Sequence, residues 1–150
     1  MVVPGAYTAK LTVGGRSYTT TLTVVADPRV PVSAAALNEQ FQLQQRMVAG
    51  LKATFDAFNY IQQLQTSNPA LDAALAPIAS SLGTAHRDLG RRLNDMLVGD
   101  VQPTASVIAG VDGPCRAIDA AIGNLRQALA RSNTNASSAW TPPALPACGK

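Results

Sequence analysis

Ala6-Tyr-Thr-Ala-Lys-Leu-Thr-Val-Gly14-Gly15-Arg-Ser-Tyr-Thr-Thr-Thr-Leu-Thr-Val-Val25 is the one stretch of this chain that reads as β-structure. Gly14-Gly15 supplies the two positive φ angles of a tight type I′ turn. That turn fixes the pairing, setting Val13 opposite Arg16, Leu11 opposite Tyr18, Ala9 opposite Thr20 and Tyr7 opposite Leu22. One face then carries Tyr7, Leu11, Val13, Tyr18, Leu22 and Val24, and the other is mainly Thr with Lys10 and Ser17. Asp27-Pro28 ends the hairpin, because proline lacks a ladder donor and restricts the residue before it. A lone two-stranded hairpin is marginal in water, so this one needs further strands or a helical surface to lean on.

Everything downstream reads as helix. Pro28 to Val32 forms a stiff linker, and Ser33 is a suitable N-cap for a long helix reaching about Gln65. Its apolar stripe is expected to be Leu37, Phe41, Val48, Leu51, Phe55 and Phe58, extended by Ile61 and Leu64, with Gln44 as the one polar gap. Asn68-Pro69 opens a second segment through Leu71, Leu75, Ile78 and Leu82, with a kink or break at Pro77. Thr84 to Val98 forms a third. In the last helix Ile108, Val111, Cys115, Ile118, Ile122, Leu125 and Leu129 step by alternating threes and fours. The phase survives Pro114, favouring one kinked helix over a fresh start at Pro114 capped by Asp112. The expected fold is therefore mainly α, a three- to four-helix bundle preceded by one antiparallel β-hairpin. Its units are the hairpin (1–27), a linker (28–32), the bundle (33–131) and an extended Pro/Ser/Asn-rich tail (132–150).

Composition narrows the function. The chain is 150 residues, 47% apolar but only 5% aromatic, which suits close packing of Ala-rich helices. The net charge of +3 comes from basic residues scattered along the whole length. Arg87, Arg91 and Arg92 alternate with Asp88 and Asp95 at helical spacing and read as a solvated face carrying its own ion pairs. Without stacking aromatics or a Gly-rich loop, nucleic acid is not an expected partner. No apolar run is long enough to span a membrane, and no signal peptide is visible.

Chemical motifs are missing. The single histidine, His86, has Ser80, Ser81 and Asp88 near it in sequence, but one helix does not converge them into a triad, and His86 reads as a polar residue in the first turn of a helix. The aspartates sit on polar faces or helix ends, two cysteines and one histidine do not make a zinc site, and no phosphate-binding loop occurs. No catalytic, cofactor-binding or metal residue is assigned. Cys115 holds a core-phase position on the last helix and Cys148 ends the tail, so a Cys115–Cys148 disulfide is expected to fold that tail back, with Trp140 pinning it. The alternative is a Cys115 that packs as a small hydrophobe.

The run Val3-Pro-Gly-Ala-Tyr-Thr-Ala-Lys-Leu-Thr-Val-Gly-Gly followed by Ala26-Asp-Pro-Arg-Val30 resembles the close of the immunoglobulin-like module in large bacterial proteins with sortilin-type β-propellers, the Asp-box or BNR glycosyl-hydrolase-like family. Leu93-Asn94 with Gly99-Asp100-Val-Gln-Pro103-Thr104 is similar to the corner before that family's last helix, while both cysteines depart from it. The resemblance implies a non-catalytic C-terminal structural or interaction region of a secreted or periplasmic protein. Its partners would be the upstream propeller and immunoglobulin-like module of the same polypeptide. Two rivals remain open: a stand-alone small helical binding protein that takes a protein partner, and part of a glycan hydrolase whose active site lies upstream.

Overall fold

A computed structural model of the chain describes residues 2–132. Two strands, β1 (Gly5–Val13) and β2 (Arg16–Val24), precede three helices, α1 (Ala34–Ser67), α2 (Asp72–Met96) and α3 (Ala105–Arg131). The chain is mainly helical, with one antiparallel hairpin in front of the bundle. Cys148 and Trp140, with the rest of 133–150, lie outside the described residues.

The hairpin has the register its turn dictates: Val13 faces Arg16, Leu11 faces Tyr18 and Tyr7 faces Leu22. Gly14 and Gly15 have φ of 54° and 77°, the left-handed region that both turn positions require. The Tyr7 hydroxyl donates to the Val3 carbonyl (2.6 Å) and holds the entry to β1. On the polar face the Thr12 and Ser17 hydroxyls meet at 3.0 Å across the strands.

In the linker, Asp27 accepts from the Arg29 amide (2.9 Å) and pairs with its guanidinium (2.7 Å). Ser33 then caps α1, its hydroxyl accepting from the Ala36 amide at 3.1 Å. α1 closes where the Asn68 amide donates to the Leu64 carbonyl (2.8 Å). Asn68 thus ends α1, and its side chain caps nothing at the single 3₁₀ turn, Pro69–Leu71, that leads into α2.

α2 is one helix, where the sequence led us to expect a kink or break at Pro77 and a new segment at Thr84. Its buried residues Leu75, Ile78, Leu82, Ala85, Leu89 and Met96 keep one phase across both points. Pro77 removes a single hydrogen bond within the first two turns, where both it and Ala73, four residues earlier, face water. α3 likewise runs through Pro114 without interruption, capped by Thr104, whose hydroxyl accepts from the Val107 amide (3.4 Å).

α2 packs along both of the other helices, which meet each other over a shorter stretch. Met47, Ile61, Leu75, Leu82, Leu89, Ile118 and Leu125 form the innermost part of the core. The buried side of α1 differs from expectation by about one residue. Gln40, Met47, Gly50, Thr54 and Ala57 face inward, whereas Val48, Phe55 and Phe58 are exposed. The cause is close helix approach. A Cβ on Gly50 would lie 2.6 Å from Leu89 Cδ1 and 3.4 Å from Ile118 Cδ1, so small α1 residues admit large ones from α2 and α3.

Candidate interaction surfaces

Two surfaces and one polar latch stand out. The first surface is the apolar face of the hairpin. Leu11 is 62% exposed and Tyr18 58%, with Val13 and Leu22 also open. Neither strand touches a helix, and each has one unpaired edge among the described residues.

The second is the outer face of α1 beside α2. Val48, Leu51, Phe55 and Phe58 repeat at steps of three, four and three, so they line one side of the helix. Phe55 is 60% exposed, Val48 47% and Phe58 38%. Between Phe55 and Phe58 on α1 and Leu82, Gly83, His86 and Arg87 on α2 lies a notch of about 280 Å³.

His86 stands at the edge of this notch in the middle of α2, not in a first turn. Its Nδ1 meets Thr54 Oγ1 at 2.7 Å, and that hydroxyl donates to the Leu51 carbonyl (2.8 Å). A hydroxyl has one proton, so with that proton on Leu51 the imidazole Nδ1–H is the donor to Thr54. Thr54 is buried, and the bond gives its oxygen a second partner while fixing the ring plane. Among the described residues, no hydrogen bond joins His86 to Ser80, Ser81 or Asp88.

The arginine cluster does not carry the ion pairs its spacing predicted. Among the described residues no ion pair joins Arg87, Arg91 or Arg92 to Asp88 or Asp95. The Arg87 guanidinium donates to Thr84 Oγ1 (3.1 Å). Arg92 lies over Gly110 of α3, where a Cβ would collide with its guanidinium. Asp88 also faces α3, beside Gly113 and Pro114. Of the two i,i+4 pairs, Arg91–Asp95 has arginine first, the weaker orientation, and in Asp88–Arg92 the arginine lies over Gly110 instead. Ion pairs form elsewhere: Arg46–Asp112 (2.9 Å) ties α1 to α3, and Lys52–Asp56 (2.6 Å) spans one turn of α1.

The polar latch is Gln40, 1% exposed, whose amide nitrogen donates to the carbonyls of Met96 (3.0 Å) and Gly99 (2.8 Å). Its amide oxygen accepts from the Val101 amide at 3.1 Å. Gln44 donates to Met96 as well (3.2 Å). The polar gap in the α1 stripe is therefore half of a clamp on the end of α2.

Three titrating groups are displaced, among them the Arg29 guanidinium, which its bond to Asp27 pushes up. The Arg29 side chain and amide hold the Asp27 carboxyl below its ordinary value, and burial pushes the Tyr60 phenol up. Among the described residues no three His, Cys, Asp or Glu side chains gather as a metal site, and no helix is long and apolar enough to cross a membrane. Cys115 is buried on the inner face of α3, and its expected partner Cys148 is outside the described residues. Compared with family models, curated proteins and solved structures, the chain finds no match in any of the three.

Proposed function

We propose that this chain is a non-catalytic structural and interaction region whose hairpin completes a β-sheet supplied by another part of the same polypeptide. One observation carries the reading: the hairpin has a well-specified apolar face that no helix covers among the described residues. Open strand edges beside such a face invite pairing, so a protein that keeps them gains by having strands added. The Pro-flanked linker with its Asp27–Arg29 turn keeps the hairpin apart from α1. The resemblance to the end of an immunoglobulin-like module in sortilin-type propeller proteins supplies the identity of the missing sheet, and with it a secreted or periplasmic home. In that setting Cys115 and Cys148 pair as a disulfide that returns the tail to the bundle, and the isolated chain turns over neither glycosides nor esters.

Native-state hydrogen exchange tests the reading. In the 150-residue chain alone, amides of residues 6–25 are expected to open far below the global unfolding free energy. When the chain is expressed in frame with its upstream coding sequence, the same amides should become protected. Protection equal to that of the helices in the isolated chain would overturn the proposal. So would an upstream sequence that offers no strands.

A further inference from the structure

α1 and α3 both pack along α2 and meet each other over a shorter stretch, so a crevice opens between them on the side away from α2. They touch where Arg46 pairs with Asp112 and where Gly50 approaches Ile118, so the two helices run in the same direction. From Gly50 the same side of α1 continues through Ala53, Ala57, Tyr60 and Leu64 in steps of three and four. From Asp112 the facing side of α3 continues through Cys115, Asp119 and Ile122. The walls make an apolar seat. Ala53 and Ala57 are fully buried, Ile122 nearly so, and burial pushes the Tyr60 phenol up.

The occupant follows from the chain's own length and ending. α3 forms one wall as far as its last residue, and residues 133–150, outside the described residues, follow directly. The step rests on the Cys115–Cys148 pairing proposed above, which sets one end of this segment on the α3 wall. The return from Ser132 to Cys115 along α3 is about 26 Å at the rise of an α-helix. The sixteen residues 133–148 reach about 50 Å as a polyproline helix, enough to reverse at the end of α3 and come the whole way back. Their composition suits the seat. Pro142, Pro143 and Pro146 favour an extended chain, and Trp140 and Leu145 are its large apolar side chains. The segment has no acid, and its one basic side chain, Lys150, follows Cys148 closely, while Asp112 and Asp119 flank Cys115 on the crevice side.

The spacing also sets a register. Counted back from Cys148 as extended chain, Leu145 stands about 9 Å along the crevice, and Ile122 stands about 10 Å from Cys115 along α3. Trp140 stands at about 25 Å, level with Leu64 and the end of α3. We infer that residues 139–148 lie along the α1–α3 crevice as an intramolecular strap, antiparallel to α3, with Leu145 over Ile122 and Ala53 and with Trp140 closing the crevice at Leu64. This side of the bundle is then sealed by the chain itself and withheld from partners.

The test uses the whole chain made in an oxidising compartment. Non-reducing peptide mapping reads the cysteine pairing, and nuclear Overhauser contacts read the strap. Contacts from the Leu145 methyls to Ile122 and from the Trp140 indole to Leu64 are expected. Trp140, the one tryptophan of the chain, should be quenched by acrylamide at least about threefold less than in the urea-unfolded chain. Leu145→Ser should remove the Ile122 contact while the helical circular dichroism stays unchanged. These contacts with two free thiols would support the strap and overturn only the pairing. An intact disulfide with Trp140 as open to quencher as in urea overturns the strap and leaves the pairing standing. So do contacts from Trp140 to Phe55 and Phe58, or to the groove between Pro77 and Ala121 on the other side of α3. Free thiols without any of the contacts overturn both. A disulfide-linked dimer in sedimentation assigns the crevice to the tail of a second copy and overturns the strap too.

Discussion

The hairpin and the helical bundle both gather their apolar residues on one face, with a period of two in the strands and about 3.6 in the helices, yet only the bundle buries that face. Along the inner faces of α2 and α3, Leu75, Leu82, Leu89, Ile118 and Leu125 are removed from water. Along β1 and β2 an equally regular set, Leu11, Val13, Tyr18 and Leu22, stays in it. Local geometry is well made in both: the hairpin has its full register and its glycine turn, the helices their caps. The difference lies in a facing surface. Secondary structure here is specified locally, whereas stability comes from whatever the apolar face meets.

That contrast can be broken most directly by truncation. Leu89→Ala and Ile118→Ala each delete a side chain packed inside the bundle and should cost about 2–5 kcal/mol. Leu11→Ala removes a side chain that touches little and should stay within about 0.5 kcal/mol. Urea unfolding followed by helical circular dichroism measures all three, and a Leu11→Ala loss matching that of Leu89→Ala would show that the hairpin shares the bundle's core. A smaller effect is expected from overfilling. Gly50→Val places two methyls where a single Cβ already meets Leu89 Cδ1 at 2.6 Å, and should destabilise by about 1–3 kcal/mol. Thermal melting that leaves the midpoint unchanged would mean that α1 and α2 do not approach so closely.

Gln40→Leu keeps the volume but leaves the Gly99 carbonyl and the Val101 amide without their side-chain partner, Met96 keeping Gln44, at a cost of about 1–3 kcal/mol by urea titration. The smallest effect is expected at the boundary between the two regions. Arg29 holds the Asp27 carboxylate below its ordinary value of 3.8, so the linker turn is fully favoured above that pH and is lost as pH falls through the lower, folded value. The Arg29 amide chemical shift should follow this titration, and Asp27→Asn should remove it without moving the bundle's melting temperature.

The residues that act on their neighbours were the legible ones. Gly14-Gly15 fixes the hairpin, Ser33 starts α1, and the unbroken spacing of α3 overrides Pro114. α1 was misread because hydrophobicity favours Phe55 and Phe58, while the packing selected the smaller Gly50, Thr54 and Ala57, and nothing within α1 announces how near Leu89 will come. The break expected in α2 rested on Pro77 and the Thr84 region, although the Ile78–Leu82–Ala85–Leu89 spacing already argued for continuity. The exposed face of α1 was hidden by the same error, its aromatic residues Phe55 and Phe58 having been assigned to the core.

Gln40 has a further consequence for how the corner between α2 and α3 is measured. One amide group reads the carbonyls of residues 96 and 99 and the amide of residue 101, from a helix begun more than fifty positions earlier. A loop held at three successive points by one planar group acts as a gauge of its own length. Adding or deleting a single residue between Met96 and Val101 would leave at least one of those points out of reach. At this corner sequence length, as much as residue type, is under physical control.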